Sequence, residues 1–236
     1  MLSRYYSYVR YQICIPFFIL VTGFSVDHYP AEDEKLRASK LERRRGGNVP
    51  NTLEVLQGLL QWRGVTSRLV LLAVLPDASS SETREIRSSL EPNVDLTHCF
   101  YRQSSSTAPS SYIVKSTISN SRTIVNYNDL EEMSVSEFQK AISRLPNRSS
   151  AVFHFEGRLV DITSTCIDHV RVCHPEALIS VEIEKPYRDG LQELAQKADI
   201  VFFSKGWAQV CGVRTSIIVT KSKGHPRAGS RISECY

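Results

Sequence analysis

The sequence predicts an α/β fold built on a parallel sheet with crossover helices. Three short apolar runs lie at residues 151–155, 178–183 and 199–203. Helical patterns at residues 161–172 and 188–197 separate these runs. An order of strand, helix, strand favours parallel pairing, because two parallel strands need a long connection that a helix supplies.

The composition is that of an ordinary globular domain. The chain has 236 residues, of which 42% are hydrophobic and 23% are charged, enough for one sizeable domain or one domain with a small appendage. The net charge of +4 lies entirely in residues 211–236. The balanced remainder gives no sign of a nucleic-acid partner. The six cysteines form no C-x-x-C pair, so we expect reduced thiols and a cytoplasmic location.

An apolar block at residues 13–24 follows the basic residues Arg4 and Arg10. The block is too short for a transmembrane helix, so a membrane partner is not expected. Two interpretations stay open. A positive flank with a short apolar core is typical of a signal peptide, which would make the protein secreted or membrane-anchored. The competing interpretation is a buried strand at residues 18–21.

The next elements follow from apolar periodicity and turn residues. A continuous apolar run at residues 68–75 predicts one strand that is buried on both faces. Two runs rich in β-branched residues flank a turn at residues 119–121, which predicts a hairpin. Ser134 and Glu137 have the spacing of a helix capping box. The predicted elements are a charged, exposed excursion at 31–45, helices at 52–62, 80–90 and 134–144, strands at 68–75, 95–101, 111–116 and 122–127, and a loop at 104–111.

The segment Gly46-Gly47-Asn48 with Asn51 is the first candidate for a binding site. Two glycines allow a tight turn and a close approach of a ligand to the backbone. In the first turn of a helix, a spacing of three would put both amides on one face, where they could bind the hydroxyls of a small polyol. The alternative is a glycine turn followed by an Asn helix cap. The preceding basic run, residues 43–45, is typical of a solvated face, with a role beside an anionic ligand as its alternative.

Polar residues follow the ends of the three predicted parallel strands. Ligands bind beyond the carboxyl ends of strands in such sheets, so their shared position makes these residues candidates, although each alone is also typical of a solvated loop. They are Glu156, Arg158, Glu184, Lys185, Ser204 and Lys205.

Six segments occur in an order that carries a family resemblance. They are 26–30 (Val-Asp-His-Tyr-Pro), Gly46-Gly47-Asn48 with Asn51, 119–125 (with Arg-Thr-Ile-Val), 154–158 (His-Phe-Glu-Gly-Arg), 181–186 (Val-Glu-Ile-Glu-Lys-Pro) and 201–205 (Val-Phe-Phe-Ser-Lys). In order and spacing they resemble the ribokinase-like (PfkB) carbohydrate kinases, most closely the ketohexokinase-like branch. Each piece alone is weak, and the specificity lies in the combination.

The resemblance implies a three-layer ribokinase-like α/β fold with a small β lid. It places the domain at residues 18–209, with lid strands at about 26–45 and 111–127. It implies transfer of the ATP γ-phosphoryl group to a hydroxyl of a ketohexose or related sugar, with ATP and Mg²⁺ as cofactors. It also implies a homodimer formed through the lid.

The resemblance carries particular roles over to individual residues. Gly47, Asn48 and Asn51 match positions that bind the sugar. Three further residues match positions on the nucleotide side: Arg122, Ser204 and Lys205. A cation at Arg122 would offset charge on the transferring group, and the alternative is an exposed charge on a hairpin strand.

The chain also departs from the family pattern. Residues 22–25 run directly into Val26, so the intervening turns of the family and its sugar-binding Asp are missing. Ser204 and Trp207 replace the ends of the Asn-x-x-Glu motif associated with Mg²⁺. No Gly-Ala-Gly-Asp segment occurs, and no Asp follows Asp199. In the family this Asp is the general base, and the glycine amides hold the developing anion.

These departures lead to further expectations. We predict no catalytic base and no metal ligand in this chain, a C-terminally truncated fold that is incomplete in its last third, and impaired turnover. The alternative is a non-catalytic pseudokinase fragment that acts as a binding or regulatory partner. Residues 1–17 are assigned to an uncertain N-terminal extension, and residues 210–236 to a divergent basic tail.

Overall fold

The computed structural model describes residues 11–15, 19–145, 151–210 and 217–220. The strands are β1 Tyr11–Ile15, β2 Ile19–Val26, β3 Lys40–Gly46, β4 Arg68–Leu71, β5 Val74–Pro76, β6 Val94–Asp95, β7 Phe100–Arg102, β8 Ser110–Ser116, β9 Arg122–Tyr127, β10 Ala151–Glu156, β11 Leu178–Ile183, β12 Ile200–Phe203 and β13 Ile217–Thr220. The helices are α1 Asn48–Arg63, α2 Ser81–Ser88, α3 Val135–Ile142, α4 Val160–Cys173, α5 Leu191–Lys197 and α6 Lys205–Val210.

The predicted α/β architecture with a parallel sheet is confirmed. The central sheet has the order β13-β12-β11-β10-β1-β4-β6, and every pair in it is parallel except β12 with β13. One hydrophobic cluster packs α3, α4 and α5 against one face of this sheet. A second cluster packs α1 and α2 against the other face. These clusters give the three predicted layers.

The short strand β1 lies in the middle of the central sheet. Ile13 is opposite Phe153 of β10 on one side and Val70 of β4 on the other. Residues 11–15 are thus part of the domain rather than of the predicted extension, and residues 1–10 and 16–18 lie outside the described residues. The apolar block that predicted one strand at residues 18–21 is divided between β1 and the lid strand β2.

The apolar run at residues 68–75 forms two strands, so the prediction of one continuous strand is wrong. After β4, the amide of Leu72 donates to the carbonyl of Cys14, and the carbonyl of Ala73 accepts from the amide of Phe100. The chain then enters β5, which pairs with β7 in a separate two-stranded sheet. Buried residues continue across this break, which is why apolarity alone did not reveal it. The strand predicted at residues 95–101 is likewise divided between β6 and β7.

The lid is a four-stranded sheet in the order β3-β2-β8-β9. The predicted hairpin is confirmed as β8 and β9, which pair in antiparallel register around Asn120 with φ 53°. The first lid segment differs from the prediction, because β2 and β3 pair with each other across a loop at residues 27–39. At the edge strand β3, Arg43 forms an ion pair of 2.8 Å with Glu85 of α2.

The remaining helices are close to their predicted positions. The capping box at the start of α3 is present, with reciprocal bonds between Ser134 and Glu137. Helix α5 begins at Leu191, three residues after its predicted start, where Gly190 with φ 75° precedes it. Helix α6 was not predicted. Strand β13 shows that residues 217–220 of the predicted tail pair with β12, and the other tail residues after 210 lie outside the described residues.

Candidate functional site

Two glycines connect the lid to the first helix of the body. Gly47 has φ 96° and ψ 137° and is the N-cap of α1, a conformation that favours glycine. A Cβ atom on Gly46 would lie 2.8 Å from Cγ2 of Val21. No side chain in the described part of the chain caps the helix, and its N-cap residue is Gly47. The Asn-cap interpretation is therefore wrong, because Asn48 and Asn51 are the first and fourth helical residues.

The two amides of this first turn have different partners. The Nδ2 group of Asn48 donates to Oε2 of Glu184 over 3.4 Å. The Oδ1 atom of Asn51 accepts from Nη1 of Arg45 over 3.2 Å, and Arg45 also pairs with Glu54 at 2.6 Å. Burial lowers the pKa of Arg45, while Glu54 acts in the opposite direction. Asn48 therefore faces the strand ends, whereas Asn51 is held by an arginine of the lid.

A cavity of about 240 Å³ lies between the base of the lid and the carboxyl ends of β10 and β11. The lid contributes Ser110 and Asn126, and Asn128 follows it. The body contributes residues from the two strand ends and the loops after them: Glu156, Gly157, Arg158, Glu182, Glu184, Lys185 and Arg188. Four of the six predicted strand-end residues thus line one cavity, because the carboxyl ends of adjacent parallel strands share one edge of the sheet.

Glu184 connects the predicted sugar side to the predicted nucleotide side. Its carboxylate accepts from Asn48, and its backbone carbonyl accepts from the hydroxyl of Ser204. The amide of Ser204 also donates to the carbonyl of Ile183 over 3.0 Å. Asn48 and Ser204, which are far apart in sequence, therefore meet at one residue.

The cationic residues of the cavity differ in how firmly they are held. Arg158 pairs with Glu132, and burial lowers its pKa. Arg188 donates to the carbonyls of Gly157 and Arg158, at 3.2 and 2.8 Å. Lys185 is exposed and has no ion-pair partner within the described residues. Its ammonium group is therefore the one of the three that is most available to an anionic ligand.

Glu182 is a half-buried acid of the cavity, whereas Glu184 is exposed. It lies on β11 opposite Glu156 of β10. Burial, and secondarily the charge of Glu184, raises the pKa of Glu182. Sequence reasoning missed Glu182 and Arg188, although their places inside a polar segment after two strands were the available signal.

The other predicted residues lie farther from the cavity. Arg122 is exposed at the start of β9, opposite Lys115. Tyr127, at the other end of this strand, lines the cavity, so Arg122 is about 17 Å away along the strand at 3.4 Å per residue. Lys205 is exposed at the start of α6. The phosphate-binding roles of these two residues stay predictions.

Among the described residues, no group of three or more His, Cys, Asp or Glu side chains is arranged to hold a metal ion. No helix in the described part of the chain is long and apolar enough to cross a bilayer.

Comparison with known proteins gives one consistent set of similarities. No protein-family model matches the chain. The ketohexokinase of Mus musculus is 27% identical over 213 residues, which are 87% of this chain and 67% of that protein. The Arabidopsis thaliana ribokinase structure with ribose and ATP superposes with a TM-score of 0.68 at 11% identity, covering 96% of this chain and 68% of the ribokinase. The Giardia lamblia ribokinase superposes with a TM-score of 0.63 at 13% identity, covering 86% and 61%.

These similarities confirm the predicted ribokinase-like fold and the predicted resemblance to ketohexokinase-like sugar kinases. The chain spans only about two thirds of the length of the proteins that it matches.

Proposed function

We propose that this chain is a PfkB-type carbohydrate kinase domain that binds a ketohexose or related sugar beneath its lid and uses ATP as phosphoryl donor. The observation that carries the proposal is that Glu184 accepts hydrogen bonds from both Asn48 and Ser204. Asn48 is one of the predicted sugar-binding residues, and Ser204 is one of the predicted nucleotide-side residues. The mouse ketohexokinase relative supports the sugar class. The polar cavity that Glu184 lines supports a hydroxyl-rich ligand, because amides and carboxylates together satisfy both hydrogen-bonding roles of each hydroxyl.

ATP would bind on the side of the β12 end. Solved structures with this fold include a ribokinase with ATP and another with ADP. Ser204, Lys205 and Lys185 offer a hydroxyl and two exposed ammonium groups near one another at adjacent strand ends, and such groups stabilise phosphate charge. Arg122 would join them only through a change in the position of the lid. Mg²⁺ would accompany the ATP phosphates, and we assign it no ligands from this chain.

Turnover by this 236-residue chain on its own would be low. The chain has no Gly-Ala-Gly-Asp segment, and loss of a general base typically costs about two to four powers of ten in rate. The test is an ATP-dependent assay of ADP release with a panel of ketoses and riboses, run beside a ketohexokinase. Sugar binding with turnover reduced by about 10²–10⁴ is expected. Turnover equal to that of the ketohexokinase would refute the impairment, and failure to bind any sugar would refute the kinase site.

The absence of a Gly-Ala-Gly-Asp segment favours a second candidate function, in which the chain is a non-catalytic partner of other chains. The lid offers a surface for it, because the register places Leu41, Tyr112 and Val125 on one face, where they are 66%, 45% and 62% exposed. A homodimer through this face is the form that we propose. Light scattering should give a dimer mass for the chain and a monomer mass for Val125→Asp, and a monomer for both would refute it.

A further inference from the structure

We infer that Glu184 supplies the carboxylate of the sugar site and accepts hydroxyl hydrogens from a vicinal diol bound beside Asn48. This inference rests on the proposed function and deepens it. Residues 22–25 lie within β2 and contain no Asp, so no carboxylate stands at the position where the resemblance expects the sugar-binding Asp. The fold instead places the carboxylate of Glu184, directly after β11, beside Asn48.

The backbone of Glu184 is fixed on the side away from the cavity. Its carbonyl accepts from the Ser204 hydroxyl, and the preceding carbonyl, of Ile183, accepts from the Ser204 amide over 3.0 Å. Strand β11 itself is held between β10 and β12. The carboxylate therefore extends from a rigid strand end, which is the arrangement that a preorganised binding group requires.

The side chain of Glu184 is free to exchange its partner for a ligand. It lines the cavity and is exposed. Within the described residues it takes part in no salt bridge, because the two arginines of the cavity are engaged by Glu132 and by backbone carbonyls. Its one side-chain contact there is the 3.4 Å bond from Asn48. A bond of that length is weak and easily replaced.

The chemistry of the pair selects a diol. A hydroxyl placed between the two groups can accept from Nδ2 of Asn48 and donate to one oxygen of Glu184. A hydroxyl on the adjacent carbon can donate to the second oxygen, since a carboxylate accepts at both. A phosphate in the same place would meet like charge from Glu184 and from Glu182 beside it. The pair thus favours the unphosphorylated part of a sugar.

The test is calorimetric titration of the full chain with D-fructose, for the unaltered protein, Glu184→Gln and Glu193→Gln. Gln keeps the shape of the side chain and its contact with Asn48 but removes the charge. Glu193 is an exposed acid on α5 that does not line the cavity, so its variant is the matched control. A hydrogen bond to a charged group contributes about 1.5–3 kcal/mol, so Glu184→Gln should weaken binding about 10- to 100-fold, and the control should not.

Monodeoxy fructoses separate direct contact from a general effect of charge. The penalty of Glu184→Gln should shrink for the two analogues that each lack one hydroxyl of the contacted diol and persist in full for the others. A penalty equal for all analogues, or equal affinities of Glu184→Gln and the unaltered chain for D-fructose, would overturn this inference while leaving the proposed function intact. Absence of D-fructose and other sugar binding in the unaltered chain would overturn both. Urea unfolding of each variant verifies that it is folded.

Discussion

Replacing His154 with Gln is expected to remove a large part of the acid sensitivity of this fold. His154 lies in β10, 5% exposed, with Nδ1 2.9 Å from the hydroxyl of Ser180 and its ring edge-on to Phe202. Nε2 has no hydrogen-bond partner among the residues that the structure describes. Burial lowers the pKa of His154 from its ordinary 6.5 to about 4, so the imidazole stays neutral in the folded chain over a range where the unfolded chain takes up a proton.

The sign follows from which state binds more protons. Between pH 6.5 and 4 the unfolded state does, so the free energy of unfolding falls as the pH falls. A difference of 2.5 in pKa corresponds to about 3 kcal/mol at 1.36 kcal/mol each, most of it lost by pH 4.5. Above pH 6.5 the residue contributes no pH dependence.

Urea unfolding of the unaltered chain and of His154→Gln at pH 7, 6, 5 and 4.5 measures this loss. Other titratable groups are common to both proteins and cancel in the difference. They include the half-buried His98 and the buried His174, whose pKa values are also lowered by burial. The stability difference between the two proteins should shift by about 2–3 kcal/mol in favour of the variant between pH 7 and pH 4.5. A shift below about 0.5 kcal/mol would mean that His154 is solvated or charged in the folded chain.

Three further substitutions test local packing and backbone geometry by urea or thermal unfolding. Gly157→Ala should cost about 1–3 kcal/mol, because its Cβ would lie 2.9 Å from the carbonyl oxygen of Glu182. Its control, Gly58→Ala, has no atom within 4 Å of the new Cβ and should gain about 0.5–1 kcal/mol from helix propensity; equal effects would contradict the packing argument. Tyr187→Gly should stabilise the fold by about 0.5–1 kcal/mol, since Tyr187 has φ 67° and is 85% exposed. A loss of stability would mean that the side chain contributes more to the folded state than its backbone conformation costs. Ser134→Ala should cost about 1 kcal/mol through loss of the capping box, and an unchanged midpoint would mean that the cap is not formed in solution.

Local signals predicted the fold well wherever neighbouring residues decide the structure. Strand β11 has the bounds predicted from its apolar run, and the Ser134 cap follows from two residues three apart. The prediction of one strand at residues 68–75 was wrong because a chain can pass from one sheet to another while its side chains remain buried. Strand β1 was not predicted, because Tyr11 and Gln12 interrupt its short apolar pattern. It is buried because it pairs with β10 on one side and β4 on the other.

The candidate site was predicted in its residue types and not in its contacts. Glycine spacing and strand ends identified Asn48, Glu184 and Ser204 separately. Their meeting depends on how β3, β11 and β12 end relative to one another, which no local pattern specifies. The pairing of Asn51 with Arg45 was missed for the same reason, because it depends on the angle at which the lid enters α1.

The central place of β1 sets the order in which the chain can assemble during synthesis. Strand β1 is made well before β10, yet one of its two edges pairs with that strand, near residue 153. Until that region leaves the ribosome, β1 and β4 form an unfinished sheet with an open apolar edge. Such distant pairing slows folding and prolongs exposure of aggregation-prone strands. The nascent chain should therefore depend on chaperones until β10 is made, and ribosome-bound chains that end before residue 150 should remain protease-sensitive.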